Sequence, residues 1–258
     1  FLGVEFSTAV ISEILANPEA YGRSEYGRDE KVMVEFVSAN PTGPMHMGNA
    51  RGGALGDCLA AVLDKAGYNA WREFYVNDAG NQIEKFGCSL EARYLQIFKG
   101  DEIEFPEDGY QGEDIKDLAK EYADLNGDSL VNVSAEERKK ALVDYALPKN
   151  IKKMQADMEK YKIFYDKWFF ESELHKSGAV KAVVDLLTKK GLTYEKEGAV
   201  WYKNKEVLTQ KLLKEGKSQK YIDNLELKDD VLIRQNGNPT YFTADIAYHK
   251  NKFERGFT

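Results

Sequence analysis

From residue 31 to about residue 98 the chain repeats one grammar: strand, loop, helix, strand, helix. Residues 31–37 alternate and are rich in Val and Phe, as a buried strand does. Residues 50–66 read as a helix with Leu55, Leu59, Val62 and Leu63 on one face and Gly67 as its stop. Residues 70–76 read as a second strand, and Asp78 as the N-cap of a helix reaching about residue 98. Two strands that each hand over to a helix are brought side by side only by a crossover, so they run parallel. The expected fold class is α/β, a doubly wound parallel sheet.

The remaining chain dresses this frame. Residues 2–16 read as a helix, with Val4, Phe6, Val10, Ile11, Ile14 and Leu15 near helical spacing and Asn17-Pro18 closing it. A polar linker follows at 21–30. From Gly100 to about Lys167 the sequence turns charged and helical. An acidic loop through Asp101, Glu104, Glu107 and Asp108 precedes Ser134 and Glu137, which spell a capping box for a long helix kinked at Pro148. Residues 177–190 read as a helix, 193–203 as a hairpin around Glu197-Gly198, 231–234 as a strand and 243–254 as the last helix. The expected organisation is the end of a missing N-terminal domain plus linker at 1–30 and the first half of a sheet domain at 31–100. A mainly helical insertion at 101–166 and a continuation of the sheet domain at 167–258 complete it. Residue 1 is not Met and the last helix meets the terminus directly, so both ends read as cuts in a longer chain.

Composition narrows the function classes. Of 258 residues, 43% are hydrophobic and 31% charged, which fits a packed domain rather than a disordered one. No apolar run approaches the roughly 18 residues of a membrane helix. Residues 1–16 carry Glu5 and Glu13 and no basic leader, so they do not read as a signal peptide. Cys58 and Cys88 form no Cys-x-x-Cys pair and the three histidines are scattered, so no metal site is expected. Two free thiols suit a reducing cytoplasm. The formal charge of −7 argues against indiscriminate nucleic-acid binding while leaving room for a local basic surface.

Chemistry concentrates in Ser38-Ala39-Asn40-Pro41-Thr42-Gly43-Pro44-Met45-His46-Met47-Gly48-Asn49, between a strand and a helix. A helix start presents unpaired N–H groups and partial positive charge, which suits phosphate. Pro41 and Pro44 stiffen the approach, and Gly48 lets a ligand near the backbone. His46 and Asn49 can each aim a donor at a phosphate oxygen. Glu35 lies at the carboxyl end of the first strand, where such sheets place ligands. Asp245 follows Tyr241 by one helical turn, so both can face one pocket. Taken alone, Asp245 reads more readily as a helix-dipole partner or cap and Glu35 as a solvated strand residue.

The run at 39–49 resembles the His-x-Gly-His signature with which class I aminoacyl-tRNA synthetases hold ATP. Its last histidine is Asn49 here, as it often is in bacterial arginyl-tRNA synthetases. Residues 34–44, Asn49-Ala50-Arg51-Gly52, residues 75–83 and residues 239–249 resemble the arginyl family specifically. The resemblance implies a Rossmann-like catalytic domain truncated before its mobile lysine loop. It implies ATP contacts at Pro41, Gly43, His46, Gly48 and Asn49, with His46 and Asn49 steadying charge on phosphate. It places Glu35, Tyr241 and Asp245 around an arginine guanidinium, with Ser38 and Asn40 at the amino-acid end. It also implies ATP with Mg2+, arginine and arginine tRNA as ligands, a monomer, and a need for tRNA before the adenylate forms. As given, the chain is expected to bind arginine or ATP weakly and turn over little.

Other signals are set aside. Glu215-Gly216-Lys217-Ser218 lacks the leading glycine of a phosphate loop, since position 211 is Lys. Lys217-Ser218-Gln219-Lys220 echoes the family's lysine loop but precedes Tyr241, whereas the family places that loop after it; it reads as a solvated helix end. Trp168-Phe169-Phe170 reads as a core strand rather than a base-stacking platform. Asn77, Asn81, Gln82, Arg51 and His249 receive no role.

Overall fold

The computed structural model describes residues 3–258, apart from the side chain of residue 101. Helix α1, Val4–Ala16, opens the chain after Gly3; residue 2 of the expected helix lies outside the described residues. Strand β1, Lys31–Glu35, passes through the signature loop into α2, Met47–Lys65. Strand β2, Asn69–Val76, then leads to α3, Asn81–Lys99. Two further helices, α4 (Glu113–Asn126) and α5 (Ala135–Lys160), precede β3, Lys167–Phe170.

Strands β1, β2 and β3 form one parallel sheet in that order, with Glu35 beside Glu73 and Val76 beside Phe170. Strand alternation sends Phe74 and Val76 to one face and Tyr75 to the other. Phe74 and Val76 pack with Ile151 and Met154 of α5. Tyr75 and Phe169 pack on the opposite face with α6 (Glu171–Lys176), α7 (Ala179–Lys189) and α10 (Tyr241–Glu254). Helices therefore cover both faces, as a doubly wound parallel sheet requires.

The hairpin β4 (Thr193–Lys196) and β5 (Ala199–Tyr202) and the strand β6 (Asp230–Ile233) lie outside the parallel sheet. They form their own antiparallel sheet, with α8 (Asn204–Lys214) and α9 (Gln219–Asp223) between β5 and β6. Helix α2 starts at Met47 rather than residue 50, because His46 caps it. Its leucine face also points outward, with Leu55 73% exposed. The inner face is Gly53, Gly56 and Ala60. A Cβ on Gly56 would lie 2.2 Å from the Phe36 ring, so only glycine lets α2 sit this close to the strand ends.

Helix α3 shares one core with α4 and α5: Phe86, Leu90 and Tyr94 bury against Ile115, Leu118 and Leu142. Ser134 caps α5, its hydroxyl accepting from Glu137 N, and α5 continues through Pro148 as one element. Trp168 and Phe169 are core, as expected, and Ser218 simply caps α9.

A buried charge fixes α10. Glu73, fully buried in β2, accepts from Arg255 Nη1 and Nη2 at 2.6 and 2.7 Å, from Tyr248 Oη at 2.7 Å and from Trp71 Nε1 at 2.9 Å. Burial alone would raise the Glu73 pKa; these donors reverse the balance and hold it below the ordinary carboxylate range.

Two measurements check this. R255M leaves Glu73 buried without its counter-charge and is expected to cost about 3–5 kcal/mol in urea unfolding of the chain at pH 7. Because the folded pKa of Glu73 is depressed, the advantage of wild type over E73Q should be full above about pH 4.3, the unfolded value, and fade as pH falls below it. In the same assay G56A is expected to cost about 1–3 kcal/mol, because Phe36 must move.

Candidate active site

The parallel strands end on one edge at Glu35, Val76 and Phe170, and there the signature loop begins. Val37 and Ser38 both take left-handed backbone, φ 70° and 33°. That conformation is strained for a β-branched residue such as Val37. It folds the Ser38 hydroxyl back, where it donates to Glu35 Oε1 at 2.8 Å and accepts from Tyr75 N at 3.1 Å. The chain rejoins the sheet at Ala39, bridged to Val76. Pro41 and Thr42 are buried, and Pro41 O accepts from Asn150 Nδ2 of α5 at 3.0 Å.

At the other end of the loop His46 and Asn49 close a reciprocal cap on α2. Gly48 N donates to His46 Nδ1 at 3.2 Å, and His46 N donates to Asn49 Oδ1 at 3.0 Å. With Nδ1 taken up as an acceptor, Nε2 is the ring nitrogen left to donate outward. Asn49 likewise keeps its Nδ2 donors. His46, Met47 and Gly48 are exposed, so the helix tip is open. A Cβ on Gly48 would stand 3.0 Å from His46 Cε1; the glycine makes room for the histidine ring.

Ala39, Asn40, Thr42, Gly43, His46 and Asn49 line one side of a cavity of about 410 Å³. Its far wall is Tyr110, Gly112, Asp114 and Met154, from the segment between α3 and β3. The charged helical stretch thus contributes to the pocket over the signature loop, which its sequence gave no means of foreseeing.

Helix α10 brings the second half. Asp245 sits one turn in from Tyr241, and Lys252 lies on the same face two turns further. Lys252 Nζ donates to Glu35 Oε2 at 2.6 Å. Asp245 opens to solvent, yet the protein crowding its inner side, with Glu35 close enough to repel it, raises its pKa above the ordinary range. The carboxylates of residues 35 and 245 thus stand near enough to feel each other's charge. Tyr75, beneath them, feels both charges and its phenol is pushed upward, chiefly by burial and by Glu171.

Tyr241 borders a separate recess of about 580 Å³ with Gly80, Asn81, Glu171, His175, Arg234 and Thr240. Glu171 is buried, accepts from Tyr75 Oη at 2.9 Å and has a raised pKa, mainly from burial. Asp78, expected to cap α3, instead accepts from Ser172 N at 2.8 Å; Gly80 takes the cap position. Gln82 accepts from Tyr110 Oη, while Arg51 and His249 are exposed. Lys252, Glu171 and Asn150 were not singled out in the sequence. Only Lys252 carried a local signal, its spacing of seven from Asp245.

The chain was compared with known proteins. Residues 10–256 match the family described as tRNA synthetases class I (R), catalytic domain. An arginine–tRNA ligase of Acetivibrio thermocellus is 56% identical over 245 residues, 95% of this chain and 40% of that protein. One of Caldanaerobacter subterraneus is 56% identical over 258 residues, 100% of this chain and 43% of the relative. A Campylobacter jejuni crystal structure described as an arginyl-tRNA synthetase superposes with a TM-score of 0.80 at 34% identity, covering 99% of this chain and 52% of that one. The chain thus spans 40% and 43% of the length of those two ligases. On its sequence, on its parallel sheet and on the loop that closes it, the chain belongs to the class I (R) tRNA synthetase family and carries that family's catalytic domain.

Proposed function

We propose that this chain is the amino-acid-activating segment of an arginine–tRNA ligase. The observation that supports it is one juxtaposition: Glu35 and Asp245 feel each other's charge, and Glu35 accepts from Ser38, which begins the loop whose far end is the open His46–Asn49 tip. A guanidinium is permanently charged and presents a planar fork of donors, so two carboxylates are its natural complement. Tyr241, one helical turn before Asp245, is assigned to the guanidinium with this pair, and Ser38 and Asn40 to the amino-acid end of the substrate.

In this reading the carboxylate of arginine attacks the α-phosphorus of ATP, giving arginyl-adenylate and releasing pyrophosphate. A hydroxyl of the terminal tRNA ribose then attacks the adenylate carbonyl and AMP leaves. The protein forms no bond to substrate; it aligns the reactants and opposes the charge that grows on phosphate. His46 Nε2–H, Asn49 Nδ2 and the α2 tip supply the donors, and Pro41, Gly43 and Gly48 shape the wall. Among the described residues no group of three or more His, Cys, Asp or Glu gathers to hold a metal. In this reading Mg2+ accompanies the ATP phosphates. Arginine tRNA is the acceptor. No helix among the described residues is long and apolar enough to cross a membrane, and we place the protein in the cytoplasm as a monomer. The domain division 1–30, 31–100, 101–166 and 167–258 stands as part of this reading.

The test replaces the matching segment of the Acetivibrio thermocellus ligase with this chain and measures arginine- and tRNA-dependent ATP–pyrophosphate exchange. Exchange supports the reading; a folded chimaera that exchanges with another amino acid, or not at all, contradicts it. In the active chimaera, D245N should lower kcat/KM for arginine by about 10²–10³-fold, the cost of unpairing a buried cation. H46A should lower kcat by a similar order, as loss of a phosphate-facing donor does. Arginine stays charged at all relevant pH, whereas Asp245 must be ionised to bind it. With its pKa raised, arginine KM should climb as pH falls, starting above the ordinary Asp value of about 3.9. D245N should remove that climb.

A further inference from the structure

The acidity of the chain is not evenly spread. Residues 176–220 hold eleven lysines against five carboxylates, a surplus of +6 in a chain of net charge −7. Half of that surplus lies in residues 211–220, where α8 meets α9. Lys211, Lys214, Lys217 and Lys220 are all exposed there. Lys211 has Glu215 at 4.0 Å, and the other three have no carboxylate partner among the described residues. Lys217 lies over the exposed ring of Tyr221, 5.6 Å from its centre. Ile222 carries the packing of α9 and Ser218 caps it, so folding leaves the four ammoniums to solvent. The corner is nevertheless fixed relative to the active site. Thr240 N and Thr243 Oγ1 both donate to Leu232 O of β6, at 2.9 and 2.7 Å, and Phe242 packs against Tyr202 of β5. The antiparallel unit is thereby locked to the first two turns of α10, which hold Tyr241 and Asp245.

We propose that the α8–α9 corner is an RNA-binding surface that takes phosphates of the acceptor arm of the tRNA. The proposal rests on the reading of the chain as part of a tRNA ligase. Clustered ammoniums without carboxylate partners invert the local potential of an acidic protein, and a polyanion is the partner that gains from it. RNA phosphates bound there release their counterions, which supplies affinity that falls with salt. An ammonium is a point charge that reads no base, so this surface positions the RNA rather than selecting it. The acidic remainder of the chain repels the same backbone and so confines it to this corner. Because the antiparallel unit is locked to α10, an acceptor arm held here has its end at a fixed distance from Tyr241 and Asp245.

The test uses the chimaera described above and reads binding of labelled arginine tRNA by fluorescence anisotropy over a range of salt. The variant K211Q/K214Q/K217Q/K220Q should weaken binding by about tenfold at low salt. It should also flatten the plot of log Kd against log salt by about one unit for each lysine that meets a phosphate. KM for arginine and for ATP should not change. A matched variant, K120Q/K140Q/K152Q/K160Q, removes four exposed lysines from α4 and α5 and should leave tRNA affinity within about twofold, since distant surface charges are screened. Equal weakening by both variants means that net charge acts rather than this corner, and overturns the proposal. An unchanged affinity and slope in the α8–α9 variant overturns it too. Should the fourfold variant melt at a lower temperature, the pair K217Q/K220Q carries the same test, with about half the loss of slope. Binding is read without catalysis. Absence of arginine-dependent exchange in the unmutated chimaera would therefore defeat the arginine reading alone, so the two failures are distinct.

Discussion

The site depends on a buried ion pair well below it. Glu73 is a carboxylate with no access to water, and only four well-aimed donors make it tolerable there. Three of them, two from Arg255 and one from Tyr248, come from α10 or the residue directly after it. Satisfying Glu73 therefore sets both the height and the rotation of α10 on the sheet. The aromatic layer of Tyr75, Phe169 and Tyr248 fills the space between, with ring centres 4.5 to 6.1 Å apart. Once that rotation is fixed, helix periodicity carries Asp245 and Lys252 towards Glu35.

The same economy governs the other half. Gly53 and Gly56 let α2 lie against Phe36 and Ile163, which puts its tip beside the ends of the parallel strands. His46 and Asn49 then cap each other through one nitrogen and one oxygen, leaving His46 Nε2–H and Asn49 Nδ2 directed away from the helix. An asparagine serves in this place because the capping task needs an amide oxygen and the outward task needs an amide N–H. The left-handed pair Val37–Ser38 links the two halves, since it turns Ser38 back onto Glu35 before the loop sets out towards His46.

Much of this could be read from the residues. Alternation gave β1 and β2, crossover logic made them parallel, and Ser134 marked the start of α5. The signature loop was legible because its prolines, glycines and donors are contiguous. The inner face of α2 was not legible, because it is built of small residues while its leucines point outward. The role of Asp78 was misread because its partner, Ser172, is far away in sequence. Strands β4 to β6 look like any strands in sequence; which sheet they join is decided by long-range pairing. Asn150 and Asp114, which support or line the pocket over the signature loop, lie in a charged helical stretch with nothing local to distinguish them.

The central claim is that two carboxylates from opposite ends of the chain grip one flat cation. A crystal structure of this chain soaked with arginine tests it most directly. The account predicts guanidinium nitrogens within hydrogen-bond distance of both Glu35 and Asp245, with Lys252 withdrawn from Glu35. Arginine seated instead among Glu171, His175 and Tyr241, with the Glu35–Lys252 pair intact and Asp245 untouched, would contradict it.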